Sequence, residues 1–178
     1  MNINCTIDGI NHQINASTVK PLNLILQEYV FDFPSNYECK GANCGNCIVL
    51  VNEQPVVSCL VPAFILDDAK IITFGNFRDS LQYEDIRKAY KETGFRPCSQ
   101  CIAAKTLLIE SILRRMEKYG LYGISSAKSR NEKIKMLINR DFIEKELSIN
   151  KCRCVDISSM EKIINAAYKY RKKRNDHL

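Results

Sequence analysis

The sequence predicts an α+β protein whose first half is rich in strands and whose second half is helical. Up to about residue 76, short β-branched runs alternate with turn residues around one amphipathic helix. From residue 80 onward, apolar residues recur every three or four positions, as in helices that bury one face. The charge changes at the same point: residues 1–80 hold 4 basic and 8 acidic side chains, whereas residues 81–178 hold 22 and 12. We therefore expect two domains, residues 1–76 and 80–172, followed by a basic tail at 173–178.

The first half is expected to contain one helix and five strands. The helix covers residues 21–30, and Pro21 suits its first turn. Gly9-Ile10-Asn11 is the expected turn of a hairpin between the first two strands, and Asn52-Glu53-Gln54 is the expected turn between the third and fourth. The strands are expected at residues 4–8, 12–15, 47–51, 55–58 and 69–74.

The second half is expected to contain four helices, which in about 90 residues predict a small bundle. Gly94 follows the first helix and is a residue that commonly ends helices. Arg114, Arg115 and Lys118 lie in the last turns of the second helix, where basic side chains interact favourably with the helix dipole. The helices are expected at residues 81–93, 102–118, 131–147 and 159–170, with a loop at 120–130.

The composition argues against membrane-spanning, secreted and nucleic-acid-binding proteins. No apolar stretch reaches the roughly 18 residues that a bilayer requires. The first residues lack the basic segment and apolar run of a secretory signal, so a cytoplasmic protein is expected. The net charge of +6 comes without a nucleic-acid-binding motif or aromatic platform. The basic stretch Lys169–Arg174 is therefore interpreted as a solvated end or as a docking strip for an acidic partner.

No catalytic residue is expected on this chain. His12 lies in a predicted hairpin and His177 in the tail, so both are expected at the surface without a base or nucleophile partner. No Gly-rich phosphate loop follows a predicted strand, so FAD, NAD and ATP sites are not expected.

Nine cysteines are the most informative feature of the composition. Thiols stay reduced in the cytoplasm, where cysteine clusters usually bind metal rather than form disulfides. Cys5 stands apart and is expected to be a small buried residue of the first strand. The other eight form two groups of four, namely Cys39, Cys44, Cys47 and Cys59, and Cys98, Cys101, Cys152 and Cys154.

The first group has the C-x4-C-x2-C spacing of the plant-type [2Fe–2S] loop, with the fourth cysteine farther along the chain. Gly41 and Gly45 allow unusual φ values, which let backbone amides point at the sulfurs. Zinc and unrelated buried thiols are the alternatives, but zinc sites usually show two paired knuckles. The spacing therefore favours an iron–sulfur cluster.

The second group combines C-x2-C with C-x-C about fifty residues later. Cys98 and Cys101 come where the second predicted helix begins, a position that favours the thiolate form and so metal binding. On spacing alone, zinc, a redox-active pair and an iron–sulfur cluster all remain open.

The order of the two groups resembles the iron–sulfur subunit of the molybdenum hydroxylases, a family that includes xanthine dehydrogenase, aldehyde oxidoreductase and aerobic carbon monoxide dehydrogenase. The resemblance covers roughly residues 4–170 and is best at 39–63 and at Cys152-Arg153-Cys154. It implies a ferredoxin-like β-grasp domain followed by a four-helix bundle, each with one [2Fe–2S] cluster. It also implies electron transfer from molybdopterin on a large partner subunit to FAD on another subunit. The proximal cluster would then be held by Cys98, Cys101, Cys152 and Cys154, and the distal cluster by Cys39, Cys44, Cys47 and Cys59.

Several stretches depart from the family pattern, although all eight cysteines are kept. Pro97 replaces a Gln that contacts the pterin, residues 102–104 replace Thr-Pro-Gly, and residues 155–157 replace Thr-Gly-Tyr. The segment between Cys101 and Cys152 is also longer than usual. Two alternatives therefore stay open, an iron–sulfur carrier subunit of a non-molybdenum oxidoreductase and a zinc-bound interaction module. The substrate of the complex would be determined by the large subunit, with purines as the first expectation.

Overall fold

The structure is a computed structural model that describes residues 1–31, 33, 44–121 and 140–176. The chain divides into two compact units, Met1–Ser80 and Leu81–Leu178. The expected change from strands to helices lies at this division, so the α+β fold class is confirmed. None of the helices in the described parts of the chain is long and apolar enough to cross a membrane.

The first unit is built on a five-stranded mixed sheet with the strand order β2-β1-β5-β3-β4. Strands β1 and β5 run parallel, and the other neighbours are antiparallel. Helix α1 (Leu22–Tyr29) follows β2, and the short helix α2 (Phe74–Phe77) follows β5. Two 3₁₀ turns, Ser58–Leu60 and Ala63–Ile65, connect β4 to β5. The strands are β1 (Asn2–Ile7), β2 (Ile10–Asn15), β3 (Ile48–Val51), β4 (Gln54–Val57) and β5 (Lys70–Ile72).

The turn of the first hairpin lies one residue earlier than expected. Ile7 pairs with Ile10, so Asp8 and Gly9 form a two-residue turn, and both have positive φ values of 52° and 85°. Such a turn matches the twist of the flanking strands. Asp8 tolerates this conformation while its carboxylate accepts hydrogen bonds from the backbone N–H and the hydroxyl of Thr73, both at 2.7 Å. The prediction of Gly9-Ile10-Asn11 as the turn was therefore wrong, because Asp8-Gly9 is itself a dipeptide that favours a two-residue hairpin turn.

The core of the first unit lies between the sheet and α1. Alternate residues of β1 point inward, which buries Ile3, Cys5 and Ile7. Helix α1 contributes Leu22, Ile25 and Leu26 to the same cluster, and its observed bounds confirm the predicted helix. Cys5 is 5% exposed, and burial raises the pKa of its thiol. It is therefore the small buried residue that the sequence predicted.

Four helices are described in the second unit: α3 (Leu81–Thr93), α4 (Ile102–Leu121), α5 (Arg140–Leu147) and α6 (Ile157–Asn175). Helix α3 ends as predicted at Gly94, whose φ is 71°. Helix α4 extends three residues beyond its predicted end, into the stretch expected to be a loop. Residues 131–139 of the helix predicted at 131–147 lie outside the described residues. The same is true of residues 122–130 of the predicted loop.

Helix α6 is longer than predicted at both ends. It begins after Asp156, whose side chain accepts a hydrogen bond of 3.0 Å from the backbone N–H of Ser159. It continues through Asn175, so the first three residues of the expected basic tail are helical. The interpretation of Lys169–Arg174 as a solvated end was also wrong in part, because Arg171 is 1% exposed.

Arg171 is buried because α3 and α4 supply carboxylates to it. Its Nη2 donates to Glu110 Oε2 at 2.6 Å, and its Nε lies 3.4 Å from Asp85 Oδ2. Arg174 pairs with the same Asp85 oxygen at 3.0 Å, and Arg114 pairs with Glu110 at 2.7 Å. The side chains of Arg171, Glu110 and Asp85 are at most 2% exposed. This ion network joins α3, α4 and α6 in the core of the second unit.

We expect Arg171→Met to lower the free energy of unfolding of the second unit by about 3 kcal/mol, because Glu110 and Asp85 stay buried with one cation fewer. Chemical denaturation of the full chain, followed by the far-ultraviolet circular dichroism of its helices, measures this loss. Lys172→Met is the matched control, since Lys172 is exposed on the same helix, and should change the stability by less than about 0.5 kcal/mol. Equal stability of the two variants would show that the network is energetically neutral.

Candidate metal centre

The second cysteine group converges on one point of the second unit. The Sγ atom of Cys98 lies 3.3 Å from that of Cys101 and 3.9 Å from that of Cys152. The Sγ atoms of Cys101 and Cys154 are 3.1 Å apart. All four sulfur atoms lie within 4.8 Å of one another. The structure thus brings together residues that are more than fifty positions apart in the sequence.

Two turns of backbone place these four side chains. Cys98 and Cys101 lie just before α4, where the N–H groups of Cys101 and Ile102 donate to the carbonyl of Cys98 at 3.1 and 2.9 Å. Cys152 and Cys154 lie on the link between α5 and α6. The backbone N–H of Cys98 donates to the sulfur of Cys154 at 3.3 Å, which joins the two segments directly.

Two residues that sequence reasoning missed fix the second segment. Asn150 is 2% exposed, and its side-chain oxygen accepts a hydrogen bond from the backbone N–H of Cys152 at 3.2 Å. Lys105 is 5% exposed on α4, and its ammonium donates to the carbonyls of Leu147 and Asn150 at 3.0 Å each. A lysine one turn into a helix gives no sign in the sequence that it is buried, so no pattern pointed to it.

Cys98 and Cys101 differ strongly in acidity. Hydrogen bonds from the Cys101 side chain and backbone, followed by one from Cys154, lower the pKa of Cys98 to about 7. Burial, together with the neighbouring thiols, raises the pKa of Cys101, which is fully buried. Of Cys98 and Cys101, Cys98 therefore ionises at the lower pH. Metal binding requires thiolate ligands, so it releases protons.

The donor set fits two kinds of metal group. The described cysteines form no disulfides, and four thiolates typically bind either zinc or an iron–sulfur cluster. A tetrahedral zinc ion with bonds of about 2.3 Å needs sulfur–sulfur distances of about 3.8 Å. The 3.9 Å between Cys98 and Cys152 matches this value, whereas the pairs at 3.3 and 3.1 Å would have to open slightly. A cluster of two irons is larger, so the sulfur pairs would have to move apart. Cys154 lies at the exposed rim of the site, where side chains have room for such a movement.

The first cysteine group is described only in part. Cys39 and Gly41 lie outside the described residues. Cys44 is exposed, Cys47 is buried and Cys59 is half-buried. Gly45 has a φ of 68°, the unusual backbone conformation that was predicted for it.

Strand pairing brings Cys47 and Cys59 to the same end of the β3–β4 hairpin. Cys47 directly precedes β3, and Cys59 lies in the 3₁₀ turn directly after β4. Between them, the backbone N–H and the hydroxyl of Ser58 donate to the carbonyl of Cys47 at 3.0 and 2.7 Å. Among the described residues, however, the second cysteine group is the only set of three or more potential ligands that converges.

Comparison with known proteins identifies similar iron–sulfur subunits. The chain is 27% identical over 113 residues to the xanthine dehydrogenase iron-sulfur-binding subunit of Escherichia coli O157:H7, covering 64% of this chain and 70% of that one. It is 28% identical over 112 residues to the nicotinate dehydrogenase small FeS subunit of Eubacterium barkeri, covering 62% and 71%. No protein-family model matches the chain.

Solved structures show the same fold. Quinoline 2-oxidoreductase from Pseudomonas putida 86 matches with a TM-score of 0.66 at 23% identity, over 97% of this chain and 96% of that one. Aldehyde oxidoreductase from Desulfovibrio gigas matches with a TM-score of 0.69 at 18% identity, over 98% of this chain. The present chain spans only 17% of that longer chain.

In the metal-free, reduced chain, we expect alkylation of Cys98 to become half-maximal near pH 7, because the thiolate is the reactive form and its pKa is about 7. Cys101 should react only under alkaline conditions, since its pKa is raised. Peptide mapping by mass spectrometry after short iodoacetamide pulses at a series of pH values measures both rates. Buried Cys5, whose pKa is also raised, is the control for slow labelling. A Cys98 profile centred near the ordinary cysteine value of about 8.5 would contradict the proposed hydrogen bonding.

Proposed function

We propose, from its relationship to the iron–sulfur subunits of molybdenum hydroxylases, that this chain is the electron-transfer subunit of an oxidoreductase complex. The relationship rests on the relatives named above and was predicted from the order of the two cysteine groups. The single observation that carries the proposal is the convergence of four thiols contributed by C-x2-C and C-x-C. The chain's cofactors are then two [2Fe–2S] clusters.

We assign one cluster to each unit. The first unit would be the ferredoxin-like β-grasp domain, an assignment supported by its mixed sheet with the order β2-β1-β5-β3-β4 and by helix α1. The second unit would be the helical-bundle domain, supported by four described helices and a buried ion network. The proposed domain bounds remain residues 1–76 and 80–172.

The eight cysteines would be the ligands. We assign the distal cluster to Cys39, Cys44, Cys47 and Cys59, and the proximal cluster to Cys98, Cys101, Cys152 and Cys154. A bound [2Fe–2S] cluster accepts and donates one electron at a time. The protein holds the sulfurs, limits the access of water and donates hydrogen bonds to sulfur, as the backbone N–H of Cys98 does to Cys154. These hydrogen bonds favour the reduced, more negative state.

The proposed partners are a large molybdopterin subunit and an FAD subunit. Electrons released from substrate at the molybdenum centre would pass singly through the proximal and distal sites to FAD. Substrate conversion would take place on the partner chains, in agreement with the lack of a predicted catalytic residue here.

Pro97 favours a second candidate, an electron-carrier subunit of a non-molybdenum oxidoreductase. Pro97 is buried next to Cys98, and its side chain has no hydrogen-bonding group. A proline therefore provides none of the polar contact that a glutamine offers a pterin. The zinc-bound module is the third candidate, because all four sulfur atoms lie within 4.8 Å of one another, which is compact enough for a single ion.

Metal analysis of the native complex, purified without oxygen, separates these candidates. We expect about four irons per chain, red-brown absorption, and molybdenum with a large subunit in the same fraction. The same iron content with another partner and no molybdenum would support the second candidate. Zinc without visible absorption would support the third and overturn the electron-transfer proposal.

Cysteine variants of the full chain test the ligand assignment. We expect Cys59→Ala and Cys101→Ala each to lower the iron content from about four to about two per chain, because each removes one ligand from a different cluster. Cys5→Ala is the matched control and should keep about four, since Cys5 lies in the apolar core. Loss of both clusters from a single folded variant would contradict two independent sites.

A further inference from the structure

Lys105 is a buried cation whose position is unusual for lysine. It lies one turn into α4, where its backbone N–H donates to the carbonyl of Cys101 at 2.8 Å. Its side chain extends to the region where α5 ends, and the ammonium lies between two backbone carbonyls, those of Leu147 and Asn150. Within the described residues the ammonium forms these two hydrogen bonds and no ion pair with a carboxylate.

The two carbonyls belong to the segment that leads to the second pair of cysteines. Leu147 is the last residue of α5, and its terminal carbonyl accepts from the ammonium as well as from the backbone N–H of Asn150 at 3.2 Å. Asn150 comes two residues before Cys152 and also accepts that residue's backbone N–H through its side chain. Lys105 and Asn150 therefore hold the segment at the point where the chain turns into the C-x-C pair.

The charge of Lys105 acts on the same sulfurs. Burial lowers the pKa of its ammonium, while thiolate charge on Cys101, Cys154 and Cys152 opposes this effect. Lys105 and Cys152 also line one open cavity of about 680 Å³. A cation in this position lowers the electrostatic cost of gathering four thiolates in one place.

We propose that Lys105 is a positioning residue for the second cysteine group, one that holds Cys152 and Cys154 opposite Cys98 and Cys101 and supplies positive charge near these four thiols. This inference rests on the proposed function, which provides the cluster. Reduction adds one negative charge, so a fixed cation nearby stabilises the reduced state and raises the reduction potential. Lys105 thereby affects both the assembly and the potential of the proximal site.

Three variants of the full chain separate these effects. Lys105→Met removes both hydrogen bonds and the charge, whereas Lys105→Arg keeps the charge. Lys145→Met is the matched control, because Lys145 is exposed on α5. Each protein is reconstituted without oxygen, its iron is quantified, and its clusters are titrated by electron paramagnetic resonance. Cys59→Ala and Cys101→Ala provide the reference spectrum of each cluster alone.

We expect Lys105→Met either to lose the second cluster while keeping the first or to keep it at a lower potential. In the latter case the ratio of oxidised to reduced second cluster should rise about tenfold at the wild-type midpoint, equivalent to about 59 mV for one electron. Lys105→Arg should restore most of that shift, and Lys145→Met should match the wild type. If Lys105→Met does not fold, Lys105→Gln takes its place with the same criteria.

Three results would contradict these expectations, and each can be told apart from the others. If the wild type holds two clusters and Lys105→Met holds both at unchanged potentials, the inference about Lys105 is overturned and the proposed function stands. If the wild type holds no iron–sulfur cluster, the proposed function itself fails. A potential that falls equally in Lys105→Met and Lys105→Arg would also overturn the role of charge.

Discussion

The structure of the second unit depends on one constraint: two short segments, separated by about fifty residues, must bring four sulfur atoms within 4.8 Å. The start of α4 supplies one pair and the link between α5 and α6 supplies the other. Helices α5 and α6 must therefore keep a defined position relative to α4. Lys105 binds the end of α5, Arg115 pairs with Glu146 of α5 at 3.1 Å, and Arg171 of α6 pairs with Glu110 of α4. Polar contacts with defined geometry limit sliding between helices more than apolar packing alone does.

Part of the positive charge of the second unit lies in its interior, where it holds the helices together. Arg171 and Lys105 are both at most 5% exposed, and Arg174 pairs with buried Asp85. These residues contribute to the formal charge of the sequence without contributing fully to the surface that a partner meets. Four bound thiolates would lower the positive charge further, because each ligand is ionised when metal is bound. The basic composition therefore reflects how the helices are held as well as any docking surface.

Local patterns predicted the elements well, and distant contacts explain what the sequence did not predict. The period of apolar residues located α3 and α4, and Gly94 marked the end of α3, because both signals depend on neighbouring residues only. The turn at Asp8 was misplaced even though Asp8-Gly9 is a local signal for a two-residue turn. Lys105 was missed because its acceptors lie more than forty residues further along the chain. Cysteine spacing grouped Cys98, Cys101, Cys152 and Cys154, and the structure brings their sulfur atoms together, at distances that the sequence did not give.

The two cysteine groups are held in place by different hydrogen bonds. Cys47 and Cys59 are placed by strand pairing and by Ser58, whose two donors meet the carbonyl of Cys47. One of these donors is a backbone group, which almost any residue supplies, and the other is the buried hydroxyl of Ser58. The second group depends on two further side chains: Lys105, which reaches from α4 to the end of α5, and Asn150, which accepts from the backbone N–H of Cys152. A buried polar contact that loses one partner leaves the other unsatisfied, at a cost of about 1–3 kcal/mol. The geometry and electrostatics of the second site are therefore set by individual side chains, and removing one of them affects stability as well as the position of the cysteines.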